Sequence, residues 1–378
     1  MKNIVEHVPR YFEPYVNDCF ATAYGACLAH LGHDPRLVLA DYLSFMFDPS
    51  TNFIGTTFMY RFSTSVEFTE AELNSSLGLA YFPETTYYDP DAPYTENEKH
   101  RDKIRFQLYI HDDSEVAAAR LKELIDSNKA VAAVVDLYYM SYHRAYMKEH
   151  GLHAIVITGY DEEKGVYHVF DKYLLSSSDF DGEIPMEDII TARLSDVPRL
   201  NPIIGEYRRP IRNLWMEFDA GSDYTPDRAK LLGILRESYS RMSGREEAST
   251  GYSGLRSIEE FRQSLLRRKE HPVDTDTANF FKEYYNVCLK RVARGRNRFR
   301  VFLLEIADLL PQETVGVITE QLAESAKRWD ICANLSLKLA ISKSVRMYDD
   351  LDRNVQAILE IESAIVEQLR LCEMELQV

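Results

Sequence analysis

Three runs rich in β-branched and aromatic residues follow one another within residues 130–173: AVAAVVDLYY, HAIVITGYD and GVYHVFDKY. The last two flank DEEKG, a turn-rich stretch that predicts a hairpin. Pairing Tyr160 with Val166 across that turn puts Ile155 opposite Asp171. His153 then lies one diagonal step away on the same face of the sheet. Helical patterns precede these strands. HDDSEVAAARLKELIDSNK, residues 111–129, predicts an amphipathic helix with acidic residues in its first turn. Residues 19–32, 36–47 and 69–78 predict shorter helices, the first capped by Asn17 or Asp18. Helices first and a sheet later make this half α+β rather than a doubly wound sheet.

The pattern changes near residues 216–227. Gly221, Ser222 and Asp223 read as a hinge, and Thr225 as an N-cap with Pro226 at the first helical position. Beyond it nearly every stretch is helical, apart from a loop at 243–256. Ser257 to Glu260 carries a capping-box signature, and long helices are expected at 275–310, 313–345 and 347–376. At 378 residues the chain exceeds one comfortable core. The expected organisation is a mixed domain at 1–220 and an all-α domain at 221–378.

A formal charge of −16 argues against nucleic acid and anionic membranes as partners, and suits a cationic small molecule. The start, MKNIVEHVPRYFEPY, has charges where a signal peptide needs an apolar run. The greasiest segment, AVAAVVDLYYM, is too short to span a bilayer and contains Asp136. A cytoplasmic protein is expected. The five cysteines are odd in number and lack CxxC spacing, which predicts free thiols in a reducing compartment.

Cys19 and Cys27 sit eight apart in NDCFATAYGAC. Two helical turns separate them by about 12 Å, beyond disulfide reach. Cys27 reads as core. Cys19 opens its helix, where the dipole favours a thiolate, the reactive form of cysteine. A nucleophile needs a base and the base an orienter, and His153 with Asp171 supplies both in strand-paired positions. On the residues alone Cys19 remains open between a small buried hydrophobe and a nucleophile, and His150 competes with His153 as the base. His143, His150 and His153 lack HExxH spacing, so no metal site is expected. Asp136 interrupts an apolar strand and requires a partner if buried.

The order "DC…AxxxACLxxLG" followed by "VVDLYYM…HGLHAIVITGYDEEKGVYHVFD" resembles the butirosin-biosynthesis protein H family. Its N-terminal domain is similar to papain-like cysteine peptidases, particularly those that cut bacteriocin leaders. The matching positions are Cys19, Asp136 to Met140, His153 to Asp161, and Asp171. GYSGLRSIEEF, NRFRVFLLEIA and the Trp329 segment resemble the family's C-terminal region. The resemblance implies a papain-like N-terminal domain, an all-α C-terminal domain and an acyltransferase using a Cys19–His153–Asp171 triad. It implies no cofactor of the protein's own, the donor being a thioester that a carrier protein can bear on phosphopantetheine. Peptidases of this type place a glutamine six residues before the cysteine to stabilise the oxyanion. Glu13 stands there in this chain, and an ionised carboxylate repels an oxyanion. Asn17, Asp136 and Tyr139 are the remaining candidates for oxyanion or substrate binding.

An acyl or peptidyl carrier protein is acidic, so KRVARGRNRFR at 290–300, with Arg291, Arg294 and Arg298, is a candidate docking face. A solvated helix face explains the same charges. Acidic stretches at 88–98 and 179–189 suit a cationic amine acceptor or are ordinary surface loops. The helical domain closes over the site or forms a homodimer interface, and the sequence does not choose between these roles. Besides an acyltransferase, the open readings are a papain-like peptidase or amidase and a non-catalytic accessory protein.

Overall fold

A computed structural model describes residues 1–10, 19–55, 79–81, 85–92, 103–172, 179–201, 205–219, 224–244 and 252–375. These form two compact units, Met1–Leu39 with Leu79–Thr225, and Ala40–Gly78 with Pro226–Val378. The first is mixed α and β; the second is mainly helical.

The first unit is built on a nine-stranded sheet. Its strands are β1 (Lys2–Ile4), β2 (Ala80–Tyr81), β3 (Thr86–Tyr87), β4 (Ile104–Ile110), β5 (Val131–Asp136), β6 (Leu152–Asp161), β7 (Val166–Lys172), β8 (Asp179–Pro185) and β11 (Trp215–Asp219). Their order is β8-β7-β6-β5-β11-β4-β2, with β1 added beside β6 and β3 beside β4. A separate ribbon joins β9 (Asp196–Asn201) to β10 (Gly205–Pro210). Helices α1 (Cys19–His30), α2 (Pro35–Val38), α3 (Ser114–Asp126) and α4 (Met186–Leu194) accompany the sheet. β5 is buried along its whole length, and α1, α3 and α4 all pack on it. That explains its unbroken apolar run, which the alternation of a one-faced strand would not give. Asp113 caps α3 by accepting the Glu115 and Val116 amides, so the helix starts three residues later than the pattern predicts.

The β6–β7 hairpin corrects the expected register. At the turn Asp161 pairs with Val166 and Tyr160 with Tyr167, one residue off the predicted pairing. A bulge between Ile157 and Gly159 takes up one extra residue, after which Ile157 faces Val169 and Val156 faces Phe170. Continued one step, this pairing sets Ile155 against Asp171, as the sequence suggests, because the bulge cancels the slip. Gly159 is required there: a Cβ would lie 2.7 Å from the Asn3 carbonyl oxygen of the adjoining β1.

In the second unit, strands at 46–48, 53–55 and 252–253 form a small sheet. Of the helix expected at 36–47 only 36–38 is helical, since Met46–Asp48 is claimed by strand partners on both sides. The stretch 69–78 and the hinge at Gly221 to Asp223 lie outside the described residues. The helices are α5 (Arg228–Met242), α6 (Gly254–Lys269), α7 (Thr275–Phe280), α8 (Asn286–Glu305), α9 (Gln312–Ser342) and α10 (Met347–Glu375), with a π-turn linking α7 to α8. Asp227 rather than Thr225 caps α5, by accepting the Lys230 amide. Ser257 lies inside α6, not at its cap, and its hydroxyl accepts the Phe47 amide.

Glu362 is the polar centre of this unit. Fully buried, it accepts Nε and Nη2 of Arg296 at 2.9 and 2.8 Å, Ser325 at 2.6 Å and the Trp329 indole at 2.9 Å. Burial pushes its carboxyl up, but the Arg296 charge and these donors hold it below the ordinary glutamate value. Every partner matters here, because removing one strands a buried charge.

Among the described residues no helix is long and apolar enough to cross a membrane. All five cysteines are free and buried.

Candidate active site

Cys19 is the first residue of α1, a helix with no acidic side chain in its first turn. The dipole at that end favours negative charge on the sulfur. α1 packs on β5, β6 and β7, which brings Cys19 to the end of the sheet where His153 enters β6. His153 Nε2 stands 2.8 Å from Asp171 Oδ2, and the ring also hydrogen-bonds the Cys19 side chain. With Nε2 committed to the aspartate, Nδ1 is the nitrogen left for the sulfur.

Cys19, His153 and Asp171 are 8%, 3% and 3% exposed. Burial pushes the His153 imidazole down, but the negative Cys19 and Asp171, both hydrogen-bonded to the ring, outweigh it and raise its pKa to about 10. The ring is therefore an imidazolium at neutral pH. Cys27 behaves in the opposite way: desolvation drives its thiol up to about 12, and it stays an inert core group.

Asp171 has a second partner, missed in the sequence. Tyr142 donates its hydroxyl to the same Oδ2 at 2.9 Å, and its ring stacks on Phe180 at 4.2 Å. Burial and the Asp171 charge push the phenol well above its ordinary value, so it remains a donor. The segment carrying Tyr142 and His143 is a succession of turns, without the periodicity that makes a helix or strand visible in sequence.

Asp136 is not an oxyanion donor. Its Oδ1 accepts the amides of Tyr138 and Gly151, and its Oδ2 accepts Ser195 Oγ and His150 Nδ1, both at 2.6 Å. Burial raises its carboxyl, yet these bonds carry it below the usual aspartate value. An ionised, fully buried carboxylate has no proton to give and no surface to offer a substrate. The register sets Asp136 against Leu152 and Val135 against His153, so Asp136 and His153 belong to opposite faces of the sheet.

Tyr139 and His150 line an open cleft of about 530 Å³ with Ile190, Thr191, Leu194, Ser195 and Asp196. His150 stacks on Tyr138 at 4.4 Å. The competing base is thus tied to Asp136, and His153 is the histidine that meets Cys19. Asn17 and Glu13 lie outside the described residues. Arg291, Arg294 and Arg298 are half-buried on α8, while Arg296 from the same run is turned inward to Glu362. Among the described residues no group of three or more His, Cys, Asp or Glu side chains is placed to hold a metal ion.

No curated protein matches the chain. A family model described as butirosin biosynthesis protein H, N-terminal, matches residues 55–172, a stretch that contains Asp136, His150, His153 and Asp171 and begins after Cys19. Over that stretch, about a third of its length, the chain is similar to the butirosin biosynthesis protein H, N-terminal family.

Proposed function

We propose that this protein is a cysteine-dependent acyltransferase of antibiotic biosynthesis, which moves an acyl or aminoacyl group from a thioester through Cys19 to an amine or hydroxyl acceptor. The observation that carries the reading is the contact of Cys19 with a buried His153 that the negative Cys19 and Asp171 together keep protonated. The family's name supplies the biosynthetic setting. A cysteine at a helix start, with histidine and aspartate on neighbouring strands, also supports a papain-like fold for the catalytic unit.

In the first half-reaction the Cys19 thiolate attacks the thioester carbonyl, with its own backbone N–H facing the forming oxyanion. The donor's C–S bond breaks, and the departing thiolate takes the proton from His153. An acyl group is then bound to Cys19, and His153 is neutral. In the second half the acceptor attacks that carbonyl and gives its proton to His153. The C–S bond to Cys19 breaks, which restores the thiolate–imidazolium pair. Asp171 holds the ring orientation throughout, and Tyr142 holds Asp171.

A carrier-borne donor would dock on the basic face of α8. Charge reversal at Arg291 and Arg298 is expected to raise the KM for a carrier-bound thioester and to leave a small thioester unaffected.

The test is to acylate the protein with a small acyl thioester, remove excess reagent, and follow intact mass with and without an amine. Rapid discharge by amine and slow discharge in water support transfer. Equally fast discharge in water alone would make the protein a hydrolase.

A further inference from the structure

His143 lies in the turns between β5 and β6 and is 8% exposed. Its Nδ1 accepts the Ala145 amide at 3.1 Å. Burial lowers its pKa, and the neighbouring charge on His153 adds to the effect. The ring is therefore neutral and carries its proton on Nε2. Among the described residues that N–H meets no acceptor, the Ala145 bond being the one the ring makes with them.

An N–H that no described group accepts is available to a bound molecule. The position of this one is specific. The His143 ring stands 6.1 Å from the His153 ring, tilted by 33°. The residue before it, Tyr142, bonds Asp171 and feels the charge on Cys19. With its Nδ1 lone pair occupied, His143 is not equipped to accept a proton from His153. It can only donate a hydrogen bond. The acyl-transfer chemistry places an acceptor in this neighbourhood, the carbonyl oxygen that becomes an oxyanion when Cys19 attacks.

We infer that His143 is a catalytic residue whose Nε2–H donates to the acyl oxygen of the group held at Cys19. The inference rests on the acyltransferase reading and adds a side-chain donor to the backbone amide of Cys19.

Two rates measured on the same variants test it: alkylation of Cys19 by iodoacetamide, which forms no oxyanion, and single-turnover acylation by a small acyl thioester. His143→Phe is expected to alkylate within about twofold of wild type and to acylate about 100-fold more slowly, the scale for loss of one oxyanion donor. His143→Gln, which keeps an N–H, is expected to recover at least a tenth of the wild-type acylation rate. Two outcomes would overturn the inference: acylation unchanged in His143→Phe, or alkylation falling in proportion to acylation in both variants. Wild-type protein that no thioester acylates would remove the acyltransferase reading together with the role of His143. Wild type that acylates normally beside an equally active His143→Phe would remove the role alone.

Discussion

His153 meets Asp171 at 2.8 Å and His150 meets Asp136 at 2.6 Å, yet the two pairs differ in everything around the contact. Asp136 binds two backbone amides and a serine as well as its histidine. Those donors fasten the end of β5, the following turn and the start of β9 to one carboxylate. His150, one-third exposed at its side chain, is a strut in that assembly. Asp171 instead receives a histidine and a tyrosine, and its histidine faces a cysteine at a helix start. A carboxylate surrounded by main-chain donors fixes the backbone, whereas one surrounded by side chains fixes a ring. Histidine–aspartate proximity alone therefore does not mark a base; the third partner does.

The largest expected effect breaks the symmetry between the histidines. His153→Asn should slow acylation of Cys19 by about 10³-fold or more, through loss of the general acid–base and of the charge that holds the thiolate. His150→Asn should remain within about threefold, as read by stopped-flow acylation on variants with native circular dichroism.

The two aspartates should separate next. Asp136→Ala leaves several donors without their acceptor and should cost about 3 kcal/mol in urea unfolding. Because the folded Asp136 pKa is depressed, its stabilisation is present above the unfolded value of about 3.9 and is lost as pH falls through the folded one. Asp171→Asn should show mainly in the imidazole. In wild type, histidine NMR should find His153 protonated at pH 8.5 and losing its proton as pH passes about 10. The raised value also means that the stabilisation from its charged form is complete below about 6.5 and disappears as pH rises through about 10. In Asp171→Asn the midpoint should fall, since one of the two negative neighbours is gone.

Smaller effects refine the comparison. Tyr142→Phe removes one donor from Asp171 and should slow acylation about fivefold, the equivalent of a hydrogen bond worth about 1 kcal/mol. Ser195→Ala should lower stability by about 1 kcal/mol and leave acylation unchanged.

Much of this comparison was visible in the sequence, for local reasons. The apolar run of β5, the β-branched and aromatic content of β6 and β7, and the position of Cys19 at a helix start are encoded within a few residues each. The register was harder. The predicted Tyr160–Val166 pair is wrong at the turn, and the Ile157–Gly159 bulge that cancels the error depends on the approach of β1 at Gly159, some 155 residues away in sequence. The assignment of 40–78 to the second unit is hidden for the same reason, because Met46 and Phe47 find a strand partner at Tyr252 and Ser253. Tyr142 and His143 lie in irregular turns, where neither period 2 nor period 3.6 indicates which side chain faces the site. Asp136 could be recognised as needing partners, but Ser195, 59 residues on, could not be named as one of them.

The most direct measurement locates the acyl group. Wild type, His150→Asn, His153→Asn and Cys19→Ala are each mixed with a small acyl thioester, quenched in acid and mapped by tandem mass spectrometry. The account predicts a single acyl adduct on Cys19 in wild type and His150→Asn, with none forming on the same timescale in the other two. An adduct on another residue, an undiminished adduct in His153→Asn, or loss of the adduct in His150→Asn alone would contradict it.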